Sequence, residues 1–451
     1  IVDHFGADAL AVIDEQPARL AEVRGLGPKR ATAIAAAWEE QRAVKDVMVL
    51  LQELGVHTGL AVRIYRQYGD AAQEVVRTDP YRLARDVWGI GFKTADQIAA
   101  ALGLAPDAPA RLAAGLRYAL ARAADNDGHV FLPRDELFTT AADLLGCRME
   151  QLEPALVRLV ADGDVFVERH DDLESVYLAP LGGAEIAAAR RLRTLLDASE
   201  DRLAVFQTVD WQRAFDWLTE ARGVPAPAQQ QAQAVRAALT ERVTVLTGGP
   251  GTGKSTTVRA IVTLARAKHA RVVLAAPTGR AAKRLAELTG QEARTIHRLL
   301  SLQPGGAAAY DADNPLPADL VVIDEASMLD IFLFNTLLKA IPPGAHLLLV
   351  GDIDQLPSVG PGNVLRDVIE SKTVPVVRLE SVFRQAEQSA IIRNAHRING
   401  GEMPHWGRDV RDFAVVRVPE TGPESPAEAA GEMFRDLVAR RLPESYGIPP
   451  R

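Results

Sequence analysis

The sequence predicts a multidomain fold: all-α repeats, then a small α+β module, then an α/β domain built on a parallel sheet. Three observations predict it. Residues 1–37 and 64–101 repeat one helical unit. Residues 111–178 read as three helical segments followed by two alternating strands. An apolar strand at 243–247 enters a glycine loop and a helix, and a second apolar strand at 320–323 ends in two carboxylates.

At 451 residues the chain is long enough for about three domains. With 47% hydrophobic and 24% charged residues it has the composition of an ordinary globular protein. No run approaches the roughly 20 apolar residues of a membrane span, and no membrane partner is expected. Ile1-Val2-Asp3-His4 lacks the basic-then-apolar layout of a signal peptide. A single cysteine, Cys147, excludes an internal disulfide framework, so a cytoplasmic location is expected. The net charge is -8, and residues 1–104 hold 12 Lys+Arg against 14 Asp+Glu. Any nucleic-acid binding must therefore come from local patches and backbone amides, not a global field.

In the repeat, Gly6, Val12, Pro17, Arg19, Leu20 and Ala21 match Gly69, Val75, Pro80, Arg82, Leu83 and Ala84. After a one-residue slip, Gly25-Leu26-Gly27 matches Gly89-Ile90-Gly91, and Lys29, Ala31 and Ile34 match Lys93, Ala95 and Ile98. Each copy predicts a helix, a Gly-x-Gly turn and a second helix. Glycine lets the backbone come close to another surface. N–H groups opening a helix suit a phosphate, and a lysine just beyond adds charge. The unit resembles the helix-hairpin-helix motif, which implies contact with the DNA backbone through Gly27, Lys29, Gly91 and Lys93. Packing of protein against protein is the alternative. A further helix is expected from Val44 to Leu54. Copy one starts abruptly at Ile1, without methionine, so the chain is expected to be cut from a longer protein.

Helical apolar spacing continues at 111–124, 134–145 and 149–162. Two alternating strands, 164–168 and 175–178, then flank the polar turn His170-Asp171-Asp172. Three helices and a hairpin suggest a winged-helix-like module, with packing and DNA binding both open as its role.

Gly248-Gly249-Pro250-Gly251-Thr252-Gly253-Lys254-Ser255 fits G-x-x-x-x-G-K-[ST], between a buried strand and a helix from Thr256. Glycines expose N–H groups to a β-phosphate, and a helix N-terminus favours negative charge. Lys254 is expected to bridge the β- and γ-phosphates of ATP, and Ser255 to ligate Mg²⁺. Asp324 and Glu325 close the strand Leu320-Val321-Val322-Ile323. Asp324 is expected to hold Mg²⁺, and Glu325 to polarise the attacking water. Together these residues imply an NTPase.

Further motifs narrow the reading. Ala275-Ala276-Pro277-Thr278-Gly279-Arg280-Ala281-Ala282, Thr295-Ile296-His297-Arg298-Leu299-Leu300 and Asp324-Glu325-Ala326-Ser327-Met328 occur in order. Gly351-Asp352-Ile353-Asp354-Gln355-Leu356-Pro357-Ser358-Val359-Gly360 and Val382-Phe383-Arg384-Gln385 follow. This series resembles that of RecD-like superfamily 1 DNA helicases, and with the N-terminal repeats it resembles the longer stand-alone type along nearly the whole chain.

The resemblance implies movement 5′ to 3′ on single-stranded DNA and at single-strand/duplex junctions, by a monomer, in repair or recombination. It implies that Gln231 pairs with adenine, that Gln355 senses the γ-phosphate, and that Arg384 acts as an arginine finger. Pro277, Thr278, Arg280 and His297 are implied at the DNA backbone. For the loop-like stretch 301–318 the resemblance implies a small strand-parting hairpin, and its turn chemistry fits a disordered loop equally.

The expected divisions are 1–104 for the repeats, 105–182 for the winged-helix-like module and 183–222 for a helical connector. Residues 223–404 form a first RecA-like domain, and 405–451 begin a second, with 413–418 its first strand. A superfamily 1 motor clamps ATP between two such domains, so the chain is expected to bind ATP weakly, hydrolyse it poorly and not unwind DNA. Three alternatives stay open. A conjugative relaxase-helicase would need a histidine cluster and a nicking tyrosine, which residues 1–222 do not show. The RecD subunit of a multi-subunit exonuclease is not expected to carry the repeats. A nucleotide-switched scaffold would lack DNA-stimulated ATP hydrolysis.

Overall fold

In the computed structural model, which describes residues 1–24, 26–55, 57–303, 308–380, 389–407, 412–418 and 425–447, the sequence repeat is also a repeat of backbone conformation. Gly6 and Gly69 take φ of 56° and 55°, where side chains with a Cβ are strained. Each glycine opens a 3-10 turn (Gly6–Asp8, Gly69–Ala71) and then a helix (Ala9–Glu15, Ala72–Thr78). A proline-led turn or helix follows (Pro17–Glu22, Pro80–Asp86), since Pro is preorganised for a first helical turn. Gly27 and Gly91 then cap the helices Pro28–Glu53 and Phe92–Ala101.

The helix expected separately at 44–54 is the second half of Pro28–Glu53. No glycine or proline interrupts residues 29–53, so nothing stops propagation. The second copy buries Ile64, Val76, Leu83 and Ile98 completely. Arg111 joins it to the next module by holding both oxygens of Asp96, at 2.9 and 3.0 Å.

That module has the helices Pro109–Asp127, Arg134–Leu145 and Glu153–Ala161. Its sheet pairs β1 (Phe131–Pro133), β3 (Leu173–Leu178) and β2 (Val165–His170) antiparallel, in that order. The arrangement is winged-helix-like. Strand β1 was not expected, because three residues are too few to show alternation. The connector helix Ala179–Leu196 begins ahead of the expected division at 182, and a second helix covers Trp211–Arg222.

The third unit is a six-stranded parallel sheet with the order β6-β5-β7-β8-β4-β9. Its strands are β4 (Val243–Gly248), β5 (Val272–Ala276), β6 (Ala293–Thr295), β7 (Leu320–Ile323), β8 (His346–Gly351) and β9 (Val376–Leu379). β4, β7 and β8 are buried throughout, as expected when helices cover both faces. Val321, Ile323, Leu347 and Leu349 enter one core. Leu320, Val322, Leu348 and Val350 enter the other. Each such side chain contributes about 1.5–3 kcal/mol. The fully buried His346 lies 3.0 Å from Asp201, itself 2.7 Å from Arg242, which ties the connector to the sheet's N-terminal edge.

Two expected elements are not formed by the described residues. Within 301–318, the described residues form turns and no hairpin; Asp311 Oδ1 instead accepts the N–H groups of Asp313 and Asn314. Residues 413–418 alternate like a strand but pair with nothing among the described residues, and Val415 and Val416 stay exposed. A strand needs a partner's ladder, which an alternating pattern does not supply. Among the described residues, no helix is long and apolar enough to cross a membrane.

Candidate nucleotide site and the edge beside it

Parallel strands end their ladders on one side, and crevices there take ligands. Here β4 ends in the glycine loop, β7 in Asp324-Glu325, and β8, which lies between them, in Asp352. Sheet order thus brings together segments roughly 70 and 100 residues apart.

Gly251 and Gly253 take φ of 78° and 91°, and Gly253 caps the helix Lys254–Ala267. That helix therefore begins at Lys254, not Thr256. Thr252 Oγ1 donates to the Gly249 carbonyl at 2.9 Å and is 4% exposed, which stiffens the loop. Lys254 Nζ donates to the carbonyls of Gly248 and Gly249. Pro250, Ser255 and Thr256 lie in this same loop and first turn, half-buried or exposed.

Electrostatics set the site apart. Burial pushes the Lys254 ammonium below its usual range, against the pull of Asp352, Glu325 and Asp324. Burial pushes Asp324 upward, opposed by the N–H of Glu325, which its Oδ1 accepts at 3.0 Å. Glu325 is raised by burial and then by the neighbouring charge of Asp324. Its backbone is left-handed, at φ 53°, a strain of about 1–3 kcal/mol that functional sites often carry. Two partly desolvated carboxylates, together with the half-buried Ser255 hydroxyl on the first turn after the glycine loop, supply hard-oxygen donors of the kind Mg²⁺ takes.

Gln231 is 5% exposed, and its amide serves the protein. Oε1 accepts the N–H of Ala228 at 3.0 Å, and Nε2 faces the Gly253 carbonyl at 3.5 Å. Gln355 is exposed, and its Nε2 donates to Asp352 Oδ2 at 3.3 Å. Arg384 lies outside the described residues.

Pro277, Thr278 and Arg280 follow β5, and His297 follows β6. Because Ala276 pairs with Thr295, the four share one edge of the sheet. Arg280 and His297 are exposed there. The Thr278 hydroxyl caps its helix by accepting the N–H of Ala281 at 3.2 Å. Gly27, Lys29, Gly91 and Lys93 are all exposed, but they stand on the N-terminal repeats rather than in this crevice.

Sequence reasoning missed three groups. Asp352, 2% exposed, orders the loop below it by accepting from both Asp354 N and Gln355. Arg284 acts electrostatically on Lys254, Asp324 and Glu325, yet looks in sequence like any surface arginine on a helix. His396 lies over the glycine loop, and a Cβ on Gly249 would come within 2.9 Å of its ring. Only the motif containing Asp352 offered a signal.

Known proteins carry the same segments. Residues 231–361 match a family described as AAA domain, and residues 40–131 match the ATP-dependent RecD2 DNA helicase HHH domain. Over 97% of its length the chain is 36% identical to the ATP-dependent RecD2 DNA helicase of Deinococcus radiodurans, and it spans 60% of that protein. It is 39% identical over 40% of its length to the RecBCD enzyme subunit RecD of Mycobacterium tuberculosis, covering 36% of it. The same-named subunit of Mycolicibacterium smegmatis is 39% identical over 42% of the chain and is covered to 42%.

Proposed function

Because the chain belongs to the RecD-like superfamily 1 DNA helicases, we propose that it is the ATP-binding part of an ATP-dependent DNA helicase. The observation that carries this reading is the meeting of Lys254, Asp324-Glu325 and Asp352 at the C-terminal edge of one parallel sheet. In this reading the P-loop domain runs from residue 223 to 404, and the match over residues 231–361 supports it.

In this reading Lys254 exchanges its two carbonyl partners for oxygens of the β- and γ-phosphates. Ser255 and Asp324 hold Mg²⁺, which supplies charge neutralisation at the phosphates. Glu325, whose raised pKa favours taking a proton, orients and deprotonates the attacking water. Gln231 locks the Gly253 end of the loop and borders the adenine site. Gln355, tethered to Asp352, reports the γ-phosphate to the DNA edge at Pro277, Thr278, Arg280 and His297. Arg384 serves as the arginine finger. The exposed turns at Gly27 and Gly91, with Lys29 and Lys93, grip the DNA backbone.

The finer reading is a monomer that moves 5′ to 3′ on single-stranded DNA, acts at junctions in repair or recombination, and works in the cytoplasm. Residues 1–451 alone hydrolyse ATP slowly and do not unwind, because the described residues hold one parallel sheet and the motor needs two.

The test is ATP turnover by the chain with and without oligo(dT), together with strand separation on duplexes tailed at the 5′ or 3′ end. Slow turnover that oligo(dT) raises and Lys254→Ala abolishes supports the reading. Turnover indifferent to DNA would favour the nucleotide-switched scaffold, and unwinding by residues 1–451 would refute the two-sheet argument. ATP turnover stimulated by 3′-tailed but not 5′-tailed duplexes would overturn the direction.

A further inference from the structure

Trp88 is 87% exposed, although tryptophan has more apolar area to lose to water than other side chains. It stands at the head of the second glycine turn, Trp88-Gly89-Ile90-Gly91, in which Ile90 turns inward and is 3% exposed. The indole is held in place. Arg63 lies over its ring, with the guanidinium carbon 5.5 Å from the centroid. Arg63 Nη1 also donates to the Trp88 carbonyl at 3.0 Å. Gly89, at φ +83°, makes this approach possible, because a Cβ there would lie 2.2 Å from the same nitrogen. Turn, glycine and arginine thus hold an indole out in solvent with a cation across the ring.

The surrounding charge favours a polyanion. Asp86 is already engaged by Arg82, Arg85 and the Tyr68 hydroxyl, at 3.0, 3.0 and 3.1 Å. Lys93 is exposed just past the turn. The repeat adds an independent observation. Aligning Gly25-Leu26-Gly27 with Gly89-Ile90-Gly91 places Arg24 opposite Trp88, so the first turn offers charge where the second offers an aromatic face.

We propose that Trp88 is a stacking platform for an unpaired nucleobase of DNA bound at the second turn, and the proposal rests on the DNA-binding reading above. A base must expose its π-face to stack. Single strands do so along their length and a duplex only at a frayed end, while interior pairs are covered by their neighbours. Every base has such a face, so the contact is sequence-tolerant. The repeats then divide their work: the first turn contacts backbone, and the second contacts backbone and base.

The test is fluorescence anisotropy of residues 1–451 with oligo(dT), an abasic oligonucleotide of equal length, a blunt duplex and a duplex with an unpaired end. The wild-type chain is compared with Trp88→Ala, Trp88→Phe and Lys93→Ala, after melts show that all are folded. Trp88→Ala is expected to weaken oligo(dT) about tenfold, the size of one base–aromatic stack, and to leave the abasic probe unchanged. Trp88→Phe keeps most of the affinity, while Lys93→Ala weakens both probes alike. A Trp88→Ala effect on the unpaired end but not the blunt duplex marks frayed ends as a second source of the base.

Binding of oligo(dT) that Trp88→Ala leaves intact overturns the stacking proposal alone. Equal losses on the oligo(dT) and abasic probes overturn it too. Failure of the wild-type chain to bind either probe overturns the DNA-binding reading and the proposal with it.

Discussion

Gly351→Ala is expected to destabilise the parallel-sheet domain and to disturb its nucleotide site through one steric contact. Gly351 is the last residue of β8, directly before Asp352. A Cβ there would lie 2.6 Å from Leu365 Cδ2, 3.1 Å from Ser327 N and 3.4 Å from Ala326 N. The leucine methyl can move only partly, since Leu365 is 2% exposed in a closed core. The Ser327 amide cannot yield without shifting the turn that follows Asp324-Glu325.

Overpacking of this kind costs about 1–3 kcal/mol, and Leu365→Ala alone costs about 2–5 kcal/mol through its cavity. In the double variant the new methyl occupies part of that cavity. The pair should therefore lose less than the sum of the singles, by about 0.5–3 kcal/mol. Thermal melts of the four proteins read the stability terms, and titration with a fluorescent ATP analogue reads the site. Gly351→Ala should bind the analogue more weakly even where fully folded, and the double variant should recover only in part, because the Ser327 contact remains. Additivity within about 0.3–0.5 kcal/mol would refute the steric argument. So would a Gly351→Ala protein with wild-type stability and affinity.

Three further outcomes follow from the same geometry. Asp324 has a folded pKa raised by burial, so its contribution to stability is full below the ordinary carboxylate pKa and is lost as pH rises through the folded value. Asp324→Asn should thus melt higher than wild type at neutral pH, lose that advantage toward about pH 4, and hydrolyse no ATP; an advantage that persists in acid would contradict this. Gly69→Ala should cost about 1–3 kcal/mol, since its φ of 55° and ψ of -132° lie in a region side chains with a Cβ avoid and no atom lies within 4 Å of the new Cβ, which leaves conformation as the whole penalty. Gly6→Ala should match it, and a clear inequality would argue against the two copies sharing a backbone. Arg284→Ala should raise the pH needed for half-maximal ATP turnover, because it removes a charge that favours ionised Asp324 and Glu325; an unmoved pH profile would show that Arg284 does not act on the pair.

What could be known from sequence was local. The glycine loop, its flanking strand and helix, the Asp324-Glu325 strand end and the doubled helical unit all declare themselves through short-range pattern. Each rests on neighbouring residues: φ > 0 at Gly6, Gly69, Gly251 and Gly253, a proline at a first helical turn, or a run of apolar residues too short for a helix. Only the tertiary structure decided what meets what. Sheet order set Asp352 between the glycine loop and the acidic pair and put His297 at the same sheet edge as Thr278, while helix packing brought Arg284 and His396 to the nucleotide site. It also denied residues 413–418 a strand, since an alternating pattern without a partner's ladder leaves its hydrogen bonds to water. Trp88 shows the same limit, because a tryptophan in a sequence carries no mark of whether it is buried or, as here, held outward by an arginine 25 residues away.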